Sequence, residues 1–439
     1  MEHPFNILIV STAFPPRNVP GALRAFSWAK YWTRAGHKVT VLTNKKGSLD
    51  GPLDFSLRND DQNPFRVIEV NFNFLNSGAS RTKREQPFKK EYSRVNGNGV
   101  YVKIKPSLKN LKWFLGPLFD DHLIYLPAFV KTITNEMRQG KFDVMISTYP
   151  PGACHWTGHW LKKKFNLPWV ADFRDPWGMP AEWQSRFSRL RLLIEKAATN
   201  RADLLMAVAP QLQEELEKRY PIPCVTVENG FDPEEFAGLE PDKIFPNDGK
   251  LRFIYTGQVY WKRNPTPFFM AIRELIQEGK LSPQQIEILF YGRDIDVINK
   301  MAKKHDLEAV VKTPGLVERS IALRAQRDAD GLLFLEGQYK TMDYVMPVKI
   351  FEYLRSGTPI LGIGMTGAST SGKLMQEAGL GFPLGKDVDK IKTFLLSQYI
   401  QKKSPIIKPN WDFINQYSRD ILAQKALQYI NDVILKKLP

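Results

Sequence analysis

A chain of 439 residues is longer than one ordinary hydrophobic core organises, so two domains are expected, and 43% apolar with 25% charged residues excludes a disordered or collagen-like protein. Two cysteines, Cys154 and Cys224, are too few for a disulfide scaffold, and no apolar run reaches the roughly 20 residues that cross a bilayer. The N-terminus runs straight into a strand pattern instead of a basic, apolar leader, so the chain is expected in the cytoplasm, and the net charge of +16 leaves an anionic ligand or surface open.

The first elements form a βαβ unit: a strand over Ile7–Ser11, a Pro-Pro loop, a helix over Gly21–Ala35 stopped by Gly36, and a strand over Lys38–Thr43. A basic cluster follows, in which Arg81, Lys83, Arg84, Lys89, Lys90, Arg94, Lys103, Lys105, Lys109 and Lys112 face only Glu85 and Glu91. Leu108, Leu111, Trp113, Phe114, Leu115, Leu118 and Phe119 come next, and a basic segment beside an aromatic-apolar one suits an anionic membrane interface better than a nucleic-acid groove. A solvated loop over a core helix explains the same residues. Short apolar runs at Asp143–Ser147, Trp169–Asp172 and Leu204–Ala209 alternate with helical patterns, as buried parallel strands do.

After a polar, Pro-containing stretch that opens at Glu228-Asn-Gly-Phe-Asp-Pro233 and runs to Gly249, the pattern restarts. Strands are expected over Leu251–Thr256, Ile286–Tyr291 and Gly331–Leu335, with helices over Pro265–Gln277 and Ile295–Lys304. From Met346 a helix begins, with Pro347 in its first turn and Gly357 as its stop, and Thr358–Ile363 reads as a buried strand. Lys349 and Glu352 are three apart and share one helical face, where an ammonium can hold a phosphate and a carboxylate can accept ribose hydroxyls. An ordinary surface ion pair is the simpler explanation of the two residues alone. A final helical stretch, Trp411–Leu435, has no strand after it and is expected to pack toward the first domain. The division is therefore an N-terminal Rossmann-like domain (1–230), a linker (231–249), a C-terminal Rossmann-like domain (250–410) and a C-terminal helix (411–439), with ligands expected at the carboxyl ends of the strands in a shared cleft.

Four other motifs compete. Gly362-Ile-Gly-Met-Thr-Gly367 matches a dinucleotide fingerprint, but at a late strand instead of the first βαβ unit. Gly367-Ala-Ser-Thr-Ser-Gly-Lys373 falls short of a P-loop because Leu374 stands where a magnesium-binding hydroxyl is needed; as a Gly-rich turn, Ser369–Ser371 would offer backbone donors to a diphosphate. His155 and His159 have a zinc-protease spacing, yet Trp156 takes the place of the catalytic Glu and no third ligand is evident, so no metal is expected; a packed helix histidine or an acceptor contact explains His155. Asp294-Ile-Asp296 resembles a metal-binding carboxylate pair and is better explained by helix capping.

Taken together, Phe14-Pro-Pro with Gly21 and Arg24, Ala35-Gly-His-Lys-Val-Thr-Val-Leu-Thr43, Leu167-Pro-Trp-Val-Ala-Asp-Phe-Arg-Asp-Pro-Trp-Gly178, Glu228-Asn-Gly-Phe-Asp232, Tyr255-Thr-Gly257 and Pro347–Pro359 resemble the retaining glycosyltransferases of family 4, in a bacterial subgroup with an Asp-Phe-Arg-Asp-Pro-Trp motif. The resemblance implies an α/β GT-B fold of two facing Rossmann-like domains and transfer of a sugar, with retention, from a nucleotide diphosphate sugar to a glycan or lipid-linked acceptor, without a metal or other cofactor. It assigns Gly21, Arg24, Gly257, Lys262, Arg263, Lys349 and Glu352 to the nucleotide sugar: Gly21 lets the backbone approach the diphosphate, Lys262 and Arg263 balance the leaving group, and Glu352 grips the ribose. The chain departs from that pattern in three places. Tyr344 stands where many relatives have a first Glu, Gln258 where many have Arg, and Arg174 where the family has an active-site His. Asp172, Arg174 and Asp175 are thus the catalytic candidates, against a structural ion pair. A non-catalytic nucleotide- or glycan-binding protein is the alternative, and an NAD-dependent enzyme a further one.

Overall fold

In a computed structural model, the described residues are 4–47, 53–57, 65–71, 121–140, 142–177, 188–259, 263–337, 344–401 and 407–434. The basic-apolar segment at 81–119, and Lys262, lie outside them. Among the described residues the strands form two sheets. The first contains β1 (Asn6–Val10), β2 (Lys38–Asn44), β3 (Arg66–Val70), β4 (Val144–Tyr149), β5 (Trp169–Phe173), β6 (Leu204–Ala207) and β7 (Cys224–Thr226), in the order β3-β2-β1-β4-β5-β6-β7. Its pairings β1–β2, β1–β4, β2–β3 and β6–β7 are parallel. The helices that accompany these strands are α1 (Pro20–Arg34), α2 (Leu126–Gln139), α3 (Gly152–Phe165), α4 (Ser188–Thr199), α5 (Pro210–Arg219) and α6 (Pro233–Ala237).

The second sheet joins β8 (Leu251–Thr256), β9 (Ile286–Tyr291), β10 (Val311–Gly315), β11 (Gly331–Leu335), β12 (Ile360–Ile363) and β13 (Gly381–Gly385) in the order β10-β9-β8-β11-β12-β13, parallel throughout. Its helices are α7 (Thr266–Gln277), α8 (Ile295–Lys304), α9 (Arg319–Asp328), α10 (Val348–Ser356), α11 (Thr370–Glu377) and α12 (Val388–Leu395), followed by α13 (Trp411–Asn415) and α14 (Arg419–Val433). Both are doubly wound Rossmann-like sheets, because successive crossovers run one way from the first strand and then return past it. In the second sheet that reversal lies between β8 and β11, where such folds bind ligands. Its inner strands are largely apolar, as expected for strands covered on both faces: Phe253, Ile254, Ile288, Leu332, Leu333 and Leu361 are essentially inaccessible.

Contact density divides the chain into two compact units, residues 1–22, 37–171 and 177–202, and residues 23–36, 172–176 and 203–439. Within the second unit the segment around Glu228–Asp232 is bonded on several sides. Arg24 Nη1 donates to Glu228 O (2.8 Å), Asn229 Nδ2 donates to Met346 O (3.0 Å), and the Phe231 N–H donates to Tyr417 O (3.1 Å). Asp232 caps α6 through the Glu234 N–H and also accepts from Lys30 Nζ (2.9 Å) and Tyr31 Oη (2.8 Å). Trp32 Nε1 donates to Ala423 O in α14 (2.8 Å). The expected single C-terminal helix is in fact two, broken at 416–418, because Ser418 turns out of helical geometry as its neighbours Tyr417 and Arg419 bond to Phe231.

Candidate functional site

At the carboxyl end of β8 the chain turns through Gly257, whose φ of +118° is strained for any residue with a Cβ. A Cβ there would lie 3.2 Å from the Lys349 ammonium, so the glycine makes room for that side chain as well as for the turn. Lys349 arrives from the opening turn of α10. That helix starts two residues later than expected, since Pro347 is its N-cap with an extended ψ of 128°, and it ends at Gly357 in the left-handed conformation. Val348, Ile350, Phe351, Tyr353 and Leu354 bury the other faces, which leaves Lys349 directed at β8.

The half-buried Lys349 Nζ donates to Tyr255 Oη (2.7 Å) and lies 4.0 Å from the centroid of the Tyr255 ring. Among the described residues no carboxylate forms a salt bridge with it. Burial, together with the nearby Arg263 guanidinium, pushes its pKa well below the ordinary lysine range, with Glu352 acting in the opposite direction. Arg263 Nη1 reaches Gln258 O (3.4 Å) in the same loop. Gly257, Arg263 and Lys349 are thus brought together at the point where the strand order reverses, with the Lys349 ammonium held by a neutral phenol.

Glu352 faces elsewhere. Its Oε1 accepts from Arg319 Nη2 (2.9 Å), and Arg319 is also held by Glu235 through two bonds of 2.5 and 2.6 Å. Burial disfavours the Arg319 charge, but Glu352 and Glu235 together keep its pKa raised. Shared spacing on α10 therefore does not give Lys349 and Glu352 a shared partner. Neither Arg319 nor Tyr255 is among the residues singled out from sequence for the nucleotide sugar. Arg319 did carry a signal, since a cation in the first turn of a helix opposes the macrodipole and implies another partner.

Next along the sheet edge, Glu336 follows β11 and accepts from Ser371 Oγ (3.0 Å) and Ser369 Oγ (3.4 Å). Ser369 is the N-cap of α11, so the Gly-rich stretch at 367–373 is a capped helix start, and its first N–H groups have no intrahelical acceptor. Gly364 is required beside it, because a Cβ at its φ of +83° would overlap the Glu336 carbonyl. Asp294 precedes α8 without making a side-chain cap. Its Oδ2 instead accepts from the Val259 N–H (2.8 Å) and fastens the loop after Gly257, which corrects the capping expectation.

Of the remaining candidates, Arg24 and Asp172 find each other. Arg24 Nη2 and Nε donate to the two Asp172 oxygens at 2.7 and 3.2 Å, with the side chains 5% and 0% exposed, and Trp28 lies under the guanidinium. Arg174 and Asp175 follow β5, both half-buried. Burial pushes the Asp175 carboxyl up to about 6, with Arg174 opposing the shift. Gly21 is the buried second residue of α1. His155 is fully buried in α3, with Nδ1 2.7 Å from Ser147 Oγ, which also accepts from Trp169 Nε1 (2.8 Å); the rings of Tyr149 and Trp177 lie within 6.0 Å of it. Tyr344, at the position of the absent Glu, is half-buried ahead of α10.

Residues 21–230 match the family described as Glycosyl transferase 4-like domain. No curated protein sequence matches the chain. Among solved structures, sucrose-phosphate synthase from Thermosynechococcus elongatus is similar with a TM-score of 0.66 at 14% identity, covering 99% of this chain and 100% of that one. Anabaena HepE, solved in complex with UDP-glucose, gives 0.62 at 14% identity over 98% and 100% of the two chains. A putative UDP-N-acetylglucosamine 2-epimerase from Listeria monocytogenes gives 0.56 at 11% identity over 99% and 98%. The chain thus has the GT-B fold of glycosyltransferases, and its residues 21–230 match the family model described as Glycosyl transferase 4-like domain.

Proposed function

We propose that this protein is a retaining glycosyltransferase that moves a sugar from a nucleotide diphosphate sugar to a glycan acceptor, with a lipid-linked intermediate of surface polysaccharide assembly as the acceptor class. The observation that carries the reading is the Lys349 ammonium, held beside Gly257 and Arg263 without a carboxylate at the switch point of the second sheet. A diphosphate supplies a counter-charge to Lys349. In the transfer step the bond from the anomeric carbon to the phosphate oxygen breaks, negative charge develops on that oxygen, and fixed cations stabilise it more in the transition state than in the ground state. The acceptor oxygen bonds to the anomeric carbon on the same face and its proton passes to the leaving phosphate, so neither a protein nucleophile nor a metal is required. Lys262, next in sequence to Arg263, adds a third cation in this scheme. Asp175, raised toward neutrality, is the carboxyl of the 172–175 motif suited to hydrogen-bonding the acceptor or sugar, and Asp172 serves by holding Arg24.

The reading extends to a cytoplasmic protein that contacts the inner membrane face through the basic-apolar segment at 81–119. Among the described residues no helix is long and apolar enough to cross a membrane. A thermal-shift screen of nucleotide sugars identifies the donor, since preferential binding raises stability with affinity and concentration. Transfer from that donor to membrane-extracted acceptors, with the anomeric configuration followed by NMR, tests the reaction. Lys349→Ala and Arg263→Ala are expected to abolish it, and donor binding without transfer or hydrolysis would favour the binding-protein alternative. Epimerisation of the donor would replace the transferase reading.

A further inference from the structure

One side chain connects the two halves of this cationic site. Tyr255 is the penultimate residue of β8 and fully buried, and its hydroxyl makes two bonds of 2.7 Å, accepting from Lys349 Nζ and donating to Gln258 O. Arg263 Nη1 donates to that same carbonyl. We propose that Tyr255 is the positioning residue of the anion site, a neutral clasp that fixes Lys349 and the loop carrying Arg263 against one another while leaving the ammonium charge for a diphosphate. The inference rests on the diphosphate reading above and deepens it.

The chemistry of the phenol is what makes the clasp neutral. Its single hydrogen goes to Gln258 O, so a lone pair must face Lys349, and the lysine is forced to be the donor. Two further ammonium hydrogens then remain for a ligand. The ring face below adds cation–π attraction, which orients the cation without cancelling its charge. A carboxylate in the same place would hold the ammonium as firmly, but it would neutralise the site and repel phosphate. Among the described residues, the charged and titratable groups facing Lys349 are Tyr255 from β8, Arg263 from the following loop and Glu352 from its own helix, the last held by Arg319. Burial and Arg263 shift Lys349 toward its neutral form, and an arriving dianion shifts it back toward the ammonium.

The test is calorimetric titration with UDP and with inorganic pyrophosphate, the latter independent of the base. Buffers of different ionisation enthalpy are used from about pH 6 to 9, so that bound protons are counted together with affinity. Wild type is expected to bind both probes with proton uptake that grows as pH rises, and Lys349→Met to lose the uptake. Tyr255→Phe, which keeps the ring, is expected to bind about tenfold more weakly, the scale of one hydrogen bond to a charged group, and to begin its uptake at lower pH because the free ammonium has lost an acceptor. Should Tyr255→Phe fail to fold, 3-fluorotyrosine at position 255, a weaker acceptor, shifts the uptake curve in the same direction. An unchanged uptake curve in the substituted protein, with or without weaker binding, overturns the inference and leaves the diphosphate reading standing. Failure of wild type to bind either probe overturns both.

Discussion

Replacing Asp172 by alanine removes both carboxylate oxygens that accept from a guanidinium that is 5% exposed, while the Arg24 bond to Glu228 O remains. Breaking a buried pair in this way costs about 3–5 kcal/mol, because one charge stays behind without its counter-charge. The two lost bonds, at 2.7 and 3.2 Å, lead to the same range at roughly 1.5–3 kcal/mol each. For a folding unit of this size 1 kcal/mol moves the melting temperature by about 2–4 °C, so a fall of roughly 10 °C is expected by scanning calorimetry. Arg24→Met isolates the opposite charge. The double variant is expected to cost less than the sum of the singles, by at least about 2 kcal/mol of coupling. Donor turnover measured well below the lowered melting temperature is expected to survive in part. A melting temperature within a degree or two of wild type, together with turnover lost by orders of magnitude, would refute the structural role and make Asp172 a catalytic group.

Gly257→Ala places a Cβ at a positive φ and 3.2 Å from Lys349 Nζ; a strain of about 1–2 kcal/mol and roughly tenfold weaker pyrophosphate binding are expected, and unaltered affinity by titration would contradict the geometry. Asp175, pushed up to about 6, holds its proton longer in the folded protein than when unfolded, so its contribution to stability is complete below about pH 4 and is lost as pH rises to about 6. If the protonated carboxyl acts in transfer, the rate falls above about pH 6; if the carboxylate acts, it falls below; Asp175→Asn removes that limb, and a profile identical to wild type would exclude the residue. His305 is buried beside Phe269, and burial, with Lys304 and Arg273, lowers its pKa against the pull of Asp306. Its neutral form is favoured on folding, so stability is intact above about pH 6.5 and declines as pH falls below that; His305→Phe should flatten the decline, as read by melting temperature between about pH 7.5 and 5.5.

What the sequence determined by itself was the interior. Leu251–Thr256, Ile286–Tyr291 and Gly331–Leu335 are observed with the boundaries expected, because a parallel strand covered on both faces must be a continuous apolar run. The strands not foreseen, β3, β7, β10 and β13, are the four at the edges of the two sheets. Half-exposed runs such as Arg66-Val-Ile-Glu-Val70 and Val311-Lys-Thr-Pro-Gly315 carry polar residues or proline that an edge tolerates, so no periodic signal marks them. Only the tertiary structure decided partners. Lys349 and Glu352 are neighbours on one helix, yet one bonds Tyr255, 94 residues away, and the other Arg319. Arg24 and Asp172 meet across 148 residues. A side chain's periodicity is set by its own element, but whether its charge is cancelled, clasped or left for a ligand depends on which distant strand end the fold brings against it.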